Sequence, residues 1–71
     1  MSLNAKKEKL SNDIFRDVIM KKNRINVSTY QICLDLKVEE ELVSNYFLGK
    51  TKENLVLGIE ILNYLEEKEK M

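Results

Sequence analysis

Apolar residues recur along this chain at the three- and four-residue spacing of an amphipathic helix, and the two-residue alternation of a strand never persists. Residues that break helices are scarce, since the chain has no proline and only two glycines. The pattern therefore predicts an all-α fold of four to five helices. The four helices that it marks span about 11–24, 29–36, 39–48 and 51–68.

The first helix is expected to begin at Ser11 or Asn12, because either side chain can cap a helix N-terminus. It begins earlier if Leu3 and Leu10 extend the same apolar stripe. Apolar pairs four residues apart form its inner face, namely Ile14 with Val18 and Phe15 with Ile19. Its last turn is basic, which suits the negative end of the helix dipole. A loop over residues 24–27 should follow.

A capping box marks the start of the second helix. The Ser28 hydroxyl is expected to accept from the Gln31 amide, and the Gln31 side chain is expected to bond back to the backbone of Ser28. The helix should then run over 29–36. Its inward residues would be Ile32, Cys33 and Leu36.

The third helix is expected over 39–48, after a break at Lys37. Acidic residues from Glu39 to Glu41 occupy its first turn, where the helix dipole favours negative charge. Val43 and Phe47 are four apart and should point inward. Gly49 is the expected terminator, because glycine adopts the left-handed conformation at low cost.

The last helix has the widest apolar surface, because eight of the eleven residues from 55 to 65 are apolar. On a helical wheel they form an arc of about 220°. Packing within one small domain usually covers less, so the excess indicates a second copy of the chain. The residues expected to lead this dimer contact are Leu57, Ile61, Tyr64 and Leu65.

Length and charge limit the possible classes. The chain has 71 residues, which allows a single domain over 1–71 with marginal stability of its own. Its net charge is zero, but residues 1–27 carry a net +4 (seven basic, three acidic) and residues 28–71 a net −4 (five basic, nine acidic). Such asymmetry either forms a basic patch or reflects solvated helix faces. One cysteine, with no apolar run long enough for a membrane span and no visible signal peptide, favours a cytoplasmic location.

The segment over 28–50 reads STYQICLDLKVEEELVSNYFLGK and resembles the helix-turn-helix of the phage-repressor family, also called Cro/C1-like or XRE-like. That family's pattern runs Thr-Gln-x-x-Leu-Ala, a turn glycine, an aliphatic residue, Ile-Ser and a terminal Gly-Lys. In this chain Ile32-Cys33 stands at the Leu-Ala step. Lys37 stands at the turn glycine, and Val38 at the aliphatic residue after it. Val43-Ser44 matches Ile-Ser, and Gly49-Lys50 matches Gly-Lys. The resemblance implies a lambda-repressor-like helix-turn-helix domain with its motif over 28–49.

The resemblance also implies a DNA-binding site. The residues just inside the recognition helix reach base edges in the major groove, and here they are Glu40, Glu41 and Asn45. The side chains placed to contact the DNA backbone are Lys21, Lys22, Arg24, Ser28, Thr29, Lys50 and Lys52. The sequence departs from the pattern at Lys37, which replaces the turn glycine, and in the acidic residues 39–41, which face a line of phosphates.

Enzymatic chemistry has no support in the sequence. The chain has no histidine, so a Ser-His or Cys-His pair is impossible, and it has neither a glycine-rich phosphate loop nor the spacing of a metal site. No cofactor or metal is expected. The first hypothesis is a sequence-specific transcriptional regulator that binds double-stranded DNA as a homodimer. The second is the same fold used to bind another regulatory protein without DNA, and the third is a plain helical oligomerisation module.

Overall fold

The computed structural model describes the backbone of residues 3–70 and the side chains of residues 8–70, and within that range it is a small, compact all-α domain without strands. The four helices are α1 (Leu3–Ile25), α2 (Thr29–Leu36), α3 (Glu40–Phe47) and α4 (Leu55–Glu69). The predicted all-α class is therefore confirmed, and the four helices fall within the predicted four to five. None of the described helices combines the length and apolar character that a membrane span requires.

Helix α1 begins about two turns before the expected cap. Ser11 lies inside the helix and is only 4% exposed. It shares a face with Ile14 and Val18 and therefore packs inward. Because it lies in the interior of α1, its side chain cannot cap the N-terminus of the helix. The start at Leu3 agrees with the alternative in which the apolar stripe extends toward the N-terminus. The helix ends at Ile25, and Asn26 follows with a φ of 63°.

Helix α2 begins as predicted, but only half of the capping box forms. The amide of Gln31 donates to the Ser28 hydroxyl at 3.1 Å. The Gln31 side chain turns along the helix and donates to Asp35 at 2.9 Å, so the expected reciprocal bond to Ser28 is wrong. The helix ends at Lys37, whose φ of 58° and ψ of 44° lie in the left-handed region. Lysine thus adopts the conformation for which related turns use glycine.

Helix α4 begins four residues later than the pattern predicts. Residues 50–53 form turns, and the Asn54 side chain caps the helix by accepting from the Leu57 amide at 3.2 Å. Gly49, which belongs to the turns that follow α3, has a φ of 82°, which confirms its role in ending α3.

Helices α1 and α4 lie side by side and run in the same direction. Ile14 lies against Gly58, and further along both helices Lys21 pairs with Glu69. The core lies between α1, α4 and the α2–α3 pair. Its buried residues are Val18, Ile32, Cys33, Val43, Tyr46, Leu57, Ile61 and Leu65.

Candidate nucleic-acid interface

Helices α2 and α3 form a two-helix unit joined by the three residues 37–39. The unit is fixed to the core through the inner side of α3, where Val43 and Tyr46 are fully buried. The rings of Phe15 and Phe47 meet Tyr46 edge-on, with centroids 5.5 and 6.3 Å away. This packing leaves the opposite side of α3 open to solvent.

The three residues predicted to read bases differ in exposure. Glu40 and Glu41 are exposed at the N-terminal end of α3, whereas Asn45 is half-buried one turn later. Leu42 lies between them and is 45% exposed. Among the described residues, neither glutamate forms an ion pair, so both carboxylates face the solvent without a compensating cation.

Two of the predicted phosphate-contacting cations are already paired. The Lys21 Nζ lies 3.2 Å from Oε1 of Glu69, and the Arg24 Nη1 lies 3.3 Å from Oε2 of the same carboxylate. One acidic group at the end of α4 therefore pairs with two basic groups at the end of α1 and offsets one of their two charges. As placed, the three side chains together offer a nucleic acid a net charge of only +1.

Three other lysines have no carboxylate partner among the described residues, and the structure places them near the C-terminal end of α3. The Lys22 Nζ lies 5.3 Å from the ring centroid of Phe47, the last residue of α3. The Lys52 Nζ lies 4.9 Å from the centroid of Phe15. Lys50 is exposed in the turns between α3 and α4. Aromatic rings hold two of these cations without cancelling their charge.

The two hydroxyl residues predicted to contact the DNA backbone, Ser28 and Thr29, lie at the start of α2 but are not equally exposed. The Ser28 hydroxyl is exposed but serves the helix cap, and Thr29 is half-buried at the first helical position. A hydroxyl that accepts from an amide still has its own hydrogen to donate. Ser28 therefore keeps the ability to donate to an acceptor such as a phosphate oxygen.

The predicted dimer contact requires a correction. Leu57, Ile61 and Leu65 are 6%, 0% and 0% exposed within a single chain. They pack into the core because the wide apolar arc of α4 faces both α1 and α2, so they are not available to a second copy. Tyr64 is half-buried and bonds to α2. The exposed apolar residues of α4 are Val56 and Ile59, at 70% and 45%.

A polar cluster that the sequence did not reveal joins α2 to α4. The Tyr64 hydroxyl donates to the Asp35 carboxylate, and the Lys68 Nζ lies 3.7 Å from it. The Tyr64 bond holds the pKa of Asp35 below its usual value, with further help from Gln31 and Lys68. Burial and the adjacent Asp35 raise the pKa of Tyr64 to about 12. The partners lie 29 residues apart, so no local pattern indicates the contact.

The single cysteine belongs to the core. Cys33 is 7% exposed, and burial raises the pKa of its thiol, with the nearby Glu40 carboxylate acting in the same direction. Within the described part of the chain, no three histidine, cysteine or acidic side chains converge as metal ligands would. Cys33 therefore acts as a small apolar residue where α2 and α3 approach each other.

Comparison with known protein families, with curated proteins and with solved structures finds no match to this chain. The function of the chain is therefore inferred from the placement of its own residues.

Proposed function

We propose that this chain is a lambda-repressor-like helix-turn-helix module that binds double-stranded DNA and regulates transcription as a homodimer. One observation carries the proposal. The outer side of α3 is open, and three lysines without carboxylate partners among the described residues, Lys22, Lys50 and Lys52, lie near its C-terminal end. Duplex DNA needs such cations beside the helix that enters its groove.

The charge balance implies weak and strongly salt-dependent binding. Each phosphate that a lysine neutralises lowers the logarithm of the binding constant by about 0.9 for each tenfold increase in salt. Three lysines therefore give a slope of about −3 for each bound chain, which is modest for a DNA-binding protein. The exposed Glu40 and Glu41 oppose the phosphates and reduce affinity further. In return, a glutamate can accept from the amino group of cytosine and Asn45 can pair with adenine, which gives α3 a means of selecting sequence.

The homodimer forms, in this proposal, through the exposed flank of α4. Val56 and Ile59 are the most exposed apolar residues there, and the half-buried Leu62 lies one turn further on. A two-fold pair would place two α3 helices about 34 Å apart, on adjacent major grooves. Replacing Val56 and Ile59 with serine should lower the sedimentation mass to that of one chain. A wild-type mass of 8.4 kDa at high concentration would overturn this part of the proposal.

DNA binding is tested with a fluorescent duplex of random sequence, measured by anisotropy over a range of salt concentrations. Lys50→Ala should weaken binding equally for all sequences and reduce the salt slope by about one. Lys70→Ala is the matched control, because Lys70 is also exposed but lies at the opposite end of α4, about 22 Å along the helix axis. Equal effects of the two substitutions, or no salt-dependent binding by the wild type, would contradict the proposal.

A second candidate function is protein binding through the same side of α3. It is favoured by the unpaired acidic residues 39–41 together with two exposed leucines, Leu42 at 45% and Leu48 at 69%. Exposed leucines beside carboxylates suit a basic, amphipathic protein segment better than they suit a phosphate backbone. Replacing Glu40 and Glu41 with glutamine separates the two functions, because it should strengthen binding to DNA and weaken binding to a basic protein segment.

A further inference from the structure

A single carboxylate, Glu69, binds two cations of another helix at once. Its Oε1 lies 3.2 Å from Lys21 and its Oε2 lies 3.3 Å from Arg24, across the parallel C-terminal ends of α4 and α1. The side chains of Glu69 and Lys21 are only 26% and 25% exposed, so solvent screens this contact less than an ordinary surface pair. Each carboxylate oxygen occupies a position that a phosphate oxygen would take on the same donors.

The position of Arg24 matters for DNA binding. It precedes Ser28, the cap of α2, by four residues, and the intervening loop turns sharply at Asn26. The N-terminus of α2 is the end of the two-helix unit that is predicted to contact a DNA phosphate, through Ser28 and Thr29. Arg24 is 60% exposed, and only the three residues 25–27 separate it along the chain from this end. Release from Glu69 would therefore free a guanidinium close to the expected path of the backbone.

We infer that Glu69 is an autoinhibitory phosphate mimic: it holds Lys21 and Arg24 within the domain and so limits its affinity for DNA. This inference rests on the proposed DNA-binding function. The contact is well placed for release, because Glu69 is the last residue of α4 and terminal helical turns open at low free-energy cost. Opening that one turn would add two cations to the interface without disturbing the core.

The test compares Glu69→Gln with Glu67→Gln in the anisotropy assay on the random duplex. Glu67 is exposed on the same helical turn and has no ion pair among the described residues, so both variants gain one unit of charge. Glu69→Gln should steepen the salt slope by between one and two and raise affinity roughly fivefold or more at low salt. Glu67→Gln should leave the slope unchanged. Equal slopes for the two variants would overturn the inference. The proposed function would still be supported in that case if wild-type binding depends on Lys50.

A double-mutant cycle extends the test to the two cations. Replacing Lys21 and Arg24 with glutamine should weaken DNA binding less when Glu69 is present than in the Glu69→Gln background, because Glu69 already offsets one of the two positive charges. In the Glu69→Gln background the same replacement should abolish the whole gain. Equal losses of binding in the two backgrounds, which are additive effects, would overturn the inference. If no variant binds the duplex, both the inference and the proposed function fail.

Discussion

The hydroxyl oxygen of Tyr46 lies directly against Gly58, so closely that a Cβ at position 58 would be 2.5 Å from it. Tyr46 is fully buried, and its hydroxyl has no hydrogen-bond partner among the described residues. Ile14 closes the same space from α1, 3.1 Å from the same Cβ position. The absence of a side chain at residue 58 thus allows α3, α1 and α4 to meet at one point.

Replacing Gly58 with alanine should therefore destabilise the domain. An alanine within a helix normally gains about 1 kcal/mol over glycine, but overpacking a core costs about 1–3 kcal/mol. We expect the second effect to prevail, because the added Cβ would lie 2.5 Å from the hydroxyl oxygen, with a net loss of up to about 2 kcal/mol in the free energy of unfolding. Urea denaturation followed by circular dichroism measures it. An increase in stability would show that the contact at residue 58 is looser than described.

The control for this prediction is Tyr46→Phe, which removes the hydroxyl and keeps the ring. Because the buried hydroxyl lacks a described partner, its removal should leave stability unchanged or raise it by about 1 kcal/mol. In the double variant, Gly58→Ala should then cost less than it does alone. The relief should be partial, because the ring carbon next to the hydroxyl also lies 3.1 Å from the added Cβ.

Local signals in the sequence predicted the Ser28 cap, the turn at Lys37 and the end of α3 at Gly49, but not the start of α1, the start of α4 or the contacts between distant elements. The Ser28 cap and the conformation of Lys37 depend on residues within one turn, so short motifs indicated them. The burial of Ile61 inside its own chain was missed, because a wide apolar arc does not show whether its partner is another helix or another copy. The pairing of Glu69 with α1 was missed for a similar reason, since only the parallel packing of α1 and α4 brings the charges together.

The left-handed conformation of Lys37 is a second place where stability can be tested. With a φ of 58°, a residue carrying a Cβ costs about 1–2 kcal/mol at this position. Lys37→Gly should therefore raise the free energy of unfolding by about 1 kcal/mol. Lys37→Ala is the control, because it removes the charge without relieving the backbone. Asn26→Gly should gain less, since asparagine tolerates its φ of 63° better than lysine does. Equal gains at both sites would contradict the argument.

The Tyr64–Asp35 bond predicts how stability depends on pH. The pKa of Tyr64 rises from 10.0 to about 12 on folding, so its contribution to stability is fully present below pH 10 and is lost as the pH rises toward 12. The pKa of Asp35 is lowered from 3.8, so its contribution is present above pH 4 and is lost as the pH falls below that value. Unfolding should be measured across both ranges.

Tyr64→Phe should make the alkaline part of that profile shallower, because phenylalanine cannot ionise. The slope that remains should come from Tyr46, whose pKa is also raised by burial. Tyr30→Phe, at an exposed tyrosine of α2, is the control and should leave the profile unchanged. Asp35→Asn should flatten the acid part. If Tyr64→Phe leaves the alkaline loss of stability unchanged, the bond between α2 and α4 does not persist in solution.

The acidic end of α3 gives the sharpest distinction between the two candidate functions. If α3 enters the major groove, Glu40 and Glu41 lie near phosphates, and replacing both with glutamine removes two repulsive charges. Non-specific affinity for the random duplex should then rise about tenfold or more at low salt, while discrimination between a selected site and random sequence should fall, because a carboxylate that accepts from cytosine is lost. Glu60 and Glu67, exposed on α4, provide the matched double replacement, which should raise affinity much less.

If α3 binds a basic protein segment, the wild type gives no duplex complex at any salt concentration. Replacing Glu40 and Glu41 with glutamine then weakens the affinity for a basic amphipathic peptide. The salt dependence of that affinity falls as well, because two carboxylates no longer attract the peptide.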